Sequence, residues 1–469
     1  MQRLFCLLGL VFLLPSCQTF ELPKLGDAFD IKERTSAPAL PAGTSDNNTL
    51  TRLNLQVDEQ RVRTSVSTGG NTLTDAMLHD NDILAAELAV IEAQRGVSIL
   101  QSALAWQTDF SAQGGTKSLK DSDEGVFGTA SATKLLMDNG ETQNQINAAV
   151  KQVEVAYTRY EIELNEFLFE VLSDIENYNT AAELMNFDYL NFATAQTIFK
   201  KLEKMNIAGQ IDSTTMLRAQ QNLDSLEVAY SKSKLNYERA DAKLALAFGV
   251  DTRRIDTDIS VFTAWNDVNP IPSNGSLSIK LIDEELKAAE FEFLAMKAKS
   301  WGTVSVQGRL DIPASNITDD SDASVGLFYR KTLGDGGRLA GEIQAIEDRI
   351  SALKQRRLAT QRDISLQSSL IEKTISRNKE IITLTEKMLD DAALNVNQLE
   401  NQLQIGLSDI TSVLEANLKV FSLQTELLNL RSQERLANLE LHRLRSQLLK
   451  LGNINAPLSK PVVDQIAKN

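Results

Sequence analysis

Four long stretches of this chain contain neither glycine nor proline, and they form two pairs. The stretches cover 141–208, 210–248, 342–405 and 407–451, with Gly209 and Gly406 between the members of each pair. Glycine and proline are the residues that most readily end a helix, so their absence predicts very long helices joined by tight glycine turns. At ~1.5 Å per residue, a helix over 141–208 would be about 100 Å long. That length is typical of a tube or a stalk.

The two pairs are related by an internal duplication. A constant offset of 197 residues superimposes Gly209 on Gly406 and also matches residues on both sides of the turn. The matched residues are Asp138 with Asp335, Gly140 with Gly337, Ile146 with Ile343, Asp212 with Asp409, Leu217 with Leu414 and Ala219 with Ala416. A repeat at one offset indicates a single structural unit used twice.

Composition excludes two broad classes of protein. The formal net charge is −15 and the isoelectric point is about 4.9, which disfavours binding to nucleic acid. The mean hydropathy of −0.19 excludes a membrane protein with many spanning helices, and no run after residue 20 predicts a transmembrane helix. An acidic surface suits a solvated coiled coil or a passage that admits cations.

The N-terminus predicts export. Arg3 precedes an apolar run over 4–14, as in a signal peptide. The residues Leu14-Pro15-Ser16-Cys17 resemble a bacterial lipobox, which would place an acyl anchor on Cys17 after removal of 1–16. The alternative is an ordinary signal peptide with a cysteine there by chance. Gln18 follows the lipidated position and favours sorting to the outer membrane.

Between the helices of each unit lie two segments with the character of strands. They cover about 103–113 and 126–136 in the first unit, and about 301–311 and 323–333 in the second. Each has about the length of a tilted strand that crosses a membrane. Shorter helices over about 73–102 and 278–300 precede them. Each shorter helix is expected to stack on the return helix of its hairpin, so that the two run beside the long helix.

Four strands cannot close a barrel by themselves, and an open sheet edge cannot be exposed to lipid. Three chains would supply twelve strands and twelve helical columns. The predicted fold class is therefore mainly α with membrane β. Duplicated long-helix hairpin units, packed as coiled coils, form an α-barrel, and four transmembrane strands per chain complete a trimeric 12-stranded β-barrel.

Three motifs carry a resemblance to a known family. They are Leu73-Thr-Asp-Ala76 with Asn81-Asp82-Ile83, then Leu333-Gly-Asp-Gly-Gly-Arg338, and Ile405-Gly-Leu-Ser408, whose counterpart in the first copy is Ile207-Ala-Gly-Gln210. Together with the duplication and the lipobox, they resemble the outer-membrane efflux and secretion channels, the TolC-like outer membrane factors, in their lipoprotein subtype. The resemblance covers about 73–452.

The resemblance implies a passive homotrimeric exit duct of a tripartite efflux or type I secretion system. Its partners would be a periplasmic adaptor (membrane fusion) protein and an inner-membrane pump of the RND, ABC or MFS type. The duct would sit in outer-membrane lipid, anchored through Cys17, with its helical body in the periplasm. Neither enzymatic activity, a cofactor, a metal nor nucleic acid is expected. Two alternatives stay open: the adaptor itself, and a lipid-anchored coiled-coil scaffold without a pore.

The resemblance also assigns roles near the turns. The adaptor-facing tips would be Gly209, Ile405, Gly406, Leu407 and Ser408, and the periplasmic gate would involve Thr214, Asp409, Ser412 and Glu415. A plainer interpretation is that glycine reverses the chain while Asp212, Ser408 and Asp409 cap the next helix, and that Glu415 is a solvated helix former. His79, His442 and the acidic pair Glu284-Glu285 are predicted to be surface residues.

The expected organisation follows from these assignments. It consists of a signal peptide (1–16), an N-terminal anchor and extended segment (17–72), a first channel repeat (73–249), a linker (250–276), a second channel repeat (277–452) and a C-terminal tail (453–469).

Overall fold

The structure is a computed structural model. It describes residues 73, 76, 77, 80–116, 124–249, 252, 255–263, 275–313, 322–405 and 407–452. All of them belong to one compact unit, residues 67–469. Cys17, His79, Gly406 and the predicted tail lie outside the described residues.

The described part of the first repeat includes three helices and two strands. In chain order they are α1 (Asn81–Ser102), β1 (Gln107–Thr116), β2 (Glu124–Met137), α2 (Glu141–Ile207) and α3 (Ser213–Phe248). Strand β1 begins four residues later than predicted, because Ala103, Leu104 and Ala105 donate backbone hydrogen bonds to the last turn of α1. Gly96 does not interrupt α1.

A short helix, α4 (Ser260–Thr263), precedes the second repeat. That repeat comprises α5 (Leu277–Lys299), β3 (Thr303–Pro313), β4 (Asp322–Arg330), α6 (Arg338–Gln404), α7 (Ile410–Leu444) and α8 (Leu448–Leu451). The return helix is broken before α8, whereas the sequence predicted a continuous helix to residue 451. The break follows from Ser446, whose φ of 55° does not fit a right-handed helix.

The duplication is visible in matching hydrogen bonds. Helices α2 and α6 are both 67 residues long, or about 100 Å. Before α2, the Asp138 carboxylate accepts the N–H groups of Gly140 and Thr142 at 3.0 and 2.7 Å. Before α6, Asp335 accepts those of Gly337 and Leu339 at 3.0 and 2.9 Å. Each long helix therefore starts with the same aspartate cap.

The helices form a layer of four columns. Helix α2 packs against α1 and α3 on one side and against α5 and α7 on the other. Helix α6 packs against α5 and α7. The columns therefore run in the order α1 with α3, then α2, then α5 with α7, then α6. The first and last columns form the two edges of the layer.

The four strands form one antiparallel sheet in the order β1-β2-β3-β4. The central pairing of β2 with β3 joins the two repeats, with Ala130 opposite Leu310. In the described sheet, β1 and β4 are the edges, each with a single neighbouring strand. The adaptor alternative predicts one hairpin flanked by β-rich modules, whereas the described chain has two hairpins and this one sheet.

The main core lies around the middle of the layer. Tyr160, Leu164 and Leu168 of α2 pack with Leu244 of α3 and Leu439 of α7. Among the described helices, none combines the length and apolar character that a membrane-spanning helix requires.

Two predictions of surface positions are wrong. His442 is buried, and its Nδ1 lies 2.9 Å from the Gln447 side-chain oxygen, because the break before α8 folds Gln447 back onto α7. Glu284 is also buried, because α5 packs against α2, where Lys151 lies 3.5 Å from its carboxylate. Both depend on neighbours distant from the local pattern.

Candidate functional site

The two hairpin turns use the same backbone hydrogen bond. At the first turn the Gln210 N–H donates to the Met205 carbonyl at 2.9 Å, and at the second the Leu407 N–H donates to the Gln402 carbonyl at 2.8 Å. This six-residue closure is a Schellman motif, which satisfies free carbonyls at a helix end. Gly209 adopts a φ of 69°, which favours glycine.

Large apolar side chains project from both turns. Ile207 is 81% exposed at the first turn, and Leu407 is 76% exposed at the second, where Ile405 is also exposed. Ser408 is half-buried. An exposed apolar group at the end of each hairpin is typical of a surface that binds another protein. The role of Ile405, Leu407 and Ser408 in docking stays a prediction.

An aspartate caps the helix that leaves each turn. Asp212 accepts the Thr215 N–H at 2.8 Å, and Asp409 accepts the Ser412 N–H at 2.7 Å. The Thr411 hydroxyl donates to the same oxygen of Asp409 at 2.8 Å. The capping interpretation of the two aspartates therefore holds. For Ser408 the described contact is 3.4 Å to the Asp409 carbonyl, which caps no N–H group.

Arg218 adds a positive charge beside both caps. Hydrogen bonds from Thr215, together with the nearby Arg218 cation, lower the pKa of Asp212. Hydrogen bonds from Ser412 and Thr411 and the same cation lower the pKa of Asp409. Arg218 of α3 is therefore near enough to the second turn to favour the ionised form of Asp409. Arg218 is not predictable from the sequence, because no local pattern distinguishes it from other helical arginines.

The predicted gate residues occupy different environments. Asp409 and Ser412 are hydrogen-bonded to each other, whereas Thr214 is exposed on the first turn of α3 and Glu415 on the second turn of α7. Two of the four residues are therefore brought into contact in a single chain.

The sheet has one polar and one apolar face, as its strand register shows. Cross-strand partners share a face, and side chains alternate along each strand. The polar face carries Gln107, Asp109, Ser111, Thr129, Ser131, Thr133, Ser305, Gln307, Arg309, Asp311, Ser324 and Arg330. Along the opposite face lie Phe110, Ala112, Ala130, Ala132, Val304, Val306, Leu310, Val325, Leu327 and Tyr329. The exceptions are Leu135 and Phe328 on the polar face and Thr108 and Lys134 on the apolar face.

Two charged groups on the polar face, Arg309 and Asp311, are paired. The Thr129 hydroxyl donates to Asp311 at 2.7 Å, and the Arg309 Nε donates to both oxygens of Asp311 at 3.1 and 3.0 Å. Within the described ranges, no group of three acidic, histidine or cysteine side chains is arranged to hold a metal ion. This polar face is suited to contact with water.

A layer of helices about 100 Å long that continues into a two-faced sheet defines the class of channel-forming membrane proteins. Residues 72–250, the first repeat, match the family model described as outer membrane efflux protein. The predicted resemblance to outer membrane factors is confirmed over this repeat, and the lipoprotein subtype stays a prediction. No curated protein matches the sequence.

Solved structures share the fold at low sequence identity. The outer membrane protein VceC from Vibrio cholerae is 15% identical with a TM-score of 0.69, over 80% of this chain and 95% of that one. The CmeC outer membrane channel of Campylobacter jejuni is 12% identical with a TM-score of 0.67, over 85% and 89%. The MtrE outer membrane channel of Neisseria gonorrhoeae is 13% identical with a TM-score of 0.67, over 80% and 88%. The predicted fold class, mainly helical with a few strands, is confirmed.

Proposed function

We propose that this chain is the exit duct of a tripartite efflux system, a passive homotrimeric channel in the outer membrane. The family match and the fold support a duct, and the surface of the single chain supports a closed ring of three. Cargo would enter between the hairpin turns and leave through the sheet. Energy would come from an inner-membrane pump connected through a periplasmic adaptor.

The sheet supports closure through its edges. Strands β1 and β4 each leave one row of N–H and C=O groups without a strand partner in the described sheet. In lipid each unsatisfied group would cost several kcal/mol, so the edges must pair. Pairing of β4 with β1 of the next chain continues the antiparallel order. Three chains then give twelve strands, with the apolar face outward and the polar face around the lumen.

The helical edges carry exposed apolar stripes. On α3 the stripe comprises Leu217, Val228, Leu235 and Leu246, whose spacing keeps them within about 20° of one another around the helix. On α6 it comprises Leu358, Leu366, Leu370, Leu384, Met388 and Leu394, within an arc of about 120°. Apolar stripes on both edges of the layer predict that α6 of one copy packs on α1 and α3 of the next.

The proposal depends mainly on one comparison. The contact between α2 and α7 in the middle of the layer has its duplicated counterpart on α6 and α3, at the two edges of the layer. Inside the chain, the Arg443 guanidinium of α7 lies 5.0 Å from the ring centroid of Phe169 on α2. The offset of 197 residues converts Arg443 into Leu246 and Phe169 into Leu366. These leucines are 84% and 60% exposed. The contact therefore exists once within the chain, and its counterpart lacks a partner until a second copy supplies one.

A second equivalence supports the same arrangement. Phe187 of α2 makes an edge-to-face contact with Phe421 of α7, with ring centroids 6.3 Å apart. The counterpart of Phe187 is Leu384, which is exposed on α6. The contact surface of α2 thus has an exposed apolar copy on α6 at two separate heights.

The turns and the N-terminus complete the proposal. Ile405, Leu407 and Ser408, with Gly406 between them and Gly209 at the other turn, would form the rim that meets the adaptor. Acylated Cys17 would tether the chain to the membrane. Thr214, Ser412 and Glu415 would surround the entrance.

Cross-linking tests the trimer directly. Leu246→Cys and Leu366→Cys are introduced together in a Cys17→Ala background, and membranes are treated with a short thiol-to-thiol linker. We expect covalent dimers and trimers on a denaturing gel. The matched control pairs Leu246→Cys with Leu384→Cys, which lies 18 residues, or about 27 Å, further along α6. It should give only monomer.

Function is tested on the purified wild-type protein. Native mass spectrometry should show a trimer in detergent, and planar bilayers should show discrete conductance steps. A stable monomer without conductance would refute the duct and leave the scaffold alternative. Equal cross-linking of both cysteine pairs would refute the proposed register of α6 on α3.

A further inference from the structure

One charged side chain lies on the apolar face of the sheet. Lys134 of β2 is opposite Val306 of β3, and Val306 is opposite Leu327 of β4. Partners across antiparallel strands project to the same side, so Lys134 shares its face with aliphatic residues. Over 108–112 in β1, 128–134 in β2, 304–310 in β3 and 323–329 in β4, the other side chains on this face are uncharged.

The position of Lys134 along the strand is as informative as its face. It lies three residues from Met137, where β2 ends towards the helices. A lysine on the lipid face of a barrel costs about 2–4 kcal/mol at the middle of a membrane but about 0–1 kcal/mol near its surface. From Lys134 to Gly128 the apolar face extends away from the helices for about 20 Å along β2, so Lys134 lies near the end of this face that is closer to the helices.

Aromatic residues lie near Lys134, at the same end of the sheet. The Lys134 Nζ lies 5.8 Å from the centroid of the Trp106 ring, which is at the start of β1. Trp301 is at the start of β3, and its carbonyl accepts the hydroxyl of Tyr329 at 2.8 Å. All three aromatic side chains are exposed. Tryptophan and tyrosine are enriched where hydrocarbon meets headgroups.

The Lys134 ammonium lacks an anionic partner within the described part of the chain. No ion pair within the described residues includes Lys134, and its ammonium contacts the indole ring of Trp106. An indole face leaves the ammonium free to donate hydrogen bonds to a further group. At the boundary of a membrane, the available anion is a lipid phosphate.

We propose that Lys134 and Trp106 form a binding site for the phosphate of an anionic phospholipid in the periplasmic leaflet. The aliphatic stem of Lys134 lies along the apolar face while its ammonium reaches the headgroup, and the indole ring packs on the first carbons of the lipid. The proposal rests on the proposed function, because it requires the sheet to span the outer membrane. It adds a lipid preference that nothing else in the fold requires.

Three sites in a trimer would hold the sheet at one depth. The helical body below the sheet is then kept at a fixed distance from the headgroups. A neutral residue at position 134 would leave the barrel closed but would remove the preference for an anionic lipid.

The test measures lipids retained by the purified trimer. Delipidated wild-type protein is incubated with phosphatidylglycerol, with phosphatidylcholine, or with inorganic phosphate, and bound molecules are counted by native mass spectrometry. We expect phosphatidylglycerol to be preferred over phosphatidylcholine. Lys134→Gln should reduce that preference about fivefold, since one lysine near an anionic surface contributes about that factor. Lys134→Arg should retain it.

Arg330→Gln is the matched control. Arg330 lies near the same end of the sheet but on its polar face, opposite Thr303. Its removal should leave the preference unchanged. Equal preference in wild type and Lys134→Gln would overturn the proposal, as would an equal loss in Arg330→Gln. Saturation by inorganic phosphate would assign the site to free phosphate instead of a lipid.

The same samples distinguish an error in the lipid site from an error in the proposed duct function. If wild type and Lys134→Gln are both conducting trimers with the same lipid preference, the lipid site is wrong and the duct stands. If wild type forms neither trimer nor channel, the proposed function itself is wrong.

Discussion

Removal of the Arg435 side chain from α7 should leave a buried negative charge on α2 without its cationic partner. The Glu176 carboxylate is 2% exposed, and the Arg435 Nε donates to both of its oxygens at 2.9 Å. Thr180 donates to the same carboxylate at 2.9 Å, and its oxygen lies 2.9 Å from that of Ser432. In Arg435→Met the hydroxyl of Thr180 remains but the cation is lost.

The expected cost follows from burial. Removing one partner of a buried ion pair costs about 3–5 kcal/mol. Arg435 is 32% exposed, so water screens part of the interaction and the lower end, about 3 kcal/mol, applies. A chain of 469 residues unfolds with an entropy of roughly 1 kcal/mol/K. The unfolding midpoint should therefore fall by about 3 °C.

The assay is thermal unfolding of the detergent-solubilised protein, followed by circular dichroism at 222 nm. Glu176→Leu combined with Arg435→Met should restore the midpoint to within about 1 °C, because two apolar groups replace the pair. Arg431→Met is the control on the same helix. Arg431 pairs with Glu386 at 2.8 Å, with both side chains exposed, so its loss should cost less than about 1 kcal/mol. A midpoint as low in the double variant as in Arg435→Met would refute the reasoning.

Three further predictions concern the turns and the anchor. Leu407→Asp should abolish transport while the trimer survives, measured as loss of drug efflux by cells beside an unchanged native mass; normal efflux would leave the turn a purely structural feature. Glu415→Gln with Asp409→Asn should lower cation selectivity in planar bilayers, since asparagine keeps the cap but removes the charge; unchanged selectivity would remove both residues from the gate. Cys17→Ala should eliminate radiolabelled palmitate incorporation yet leave trimers in the outer membrane, and their absence there would make the lipid the main anchor.

Much of the fold is encoded in short-range signals that can be read directly. Glycine and proline set the helix ends, and Asp138, Asp212, Asp335 and Asp409 precede helices in positions where a carboxylate can accept the first free N–H groups. The duplication provided a second, independent copy of each signal. These signals located the two turns and the long helices.

The remaining features depend on contacts between distant segments. Glu284 and His442 are buried by neighbours from other helices, and nothing in their own surroundings in the sequence distinguishes them from exposed residues. The same is true of Arg218, which lies near Asp409 only after the two hairpins pack. The polar and apolar faces of β2 could be assigned only from its pairing with β3, because the small residues of β2 alternate weakly in polarity.

The equivalence of the chain's middle with its edges has a consequence for how the ring is built and altered. The proposed ring of three duplicated chains would contain six interfaces of similar geometry between neighbouring repeats. Three of these interfaces lie within a chain, where the continuous polypeptide holds the two repeats together. In the proposed trimer, assembly and disassembly would therefore occur at the three interfaces between chains, which leucines such as Leu246 and Leu366 would line. The interface within each chain carries a half-buried arginine and aromatic rings, and it forms together with the fold of the subunit. A gene duplication thus halved the number of joints that must be found by diffusion.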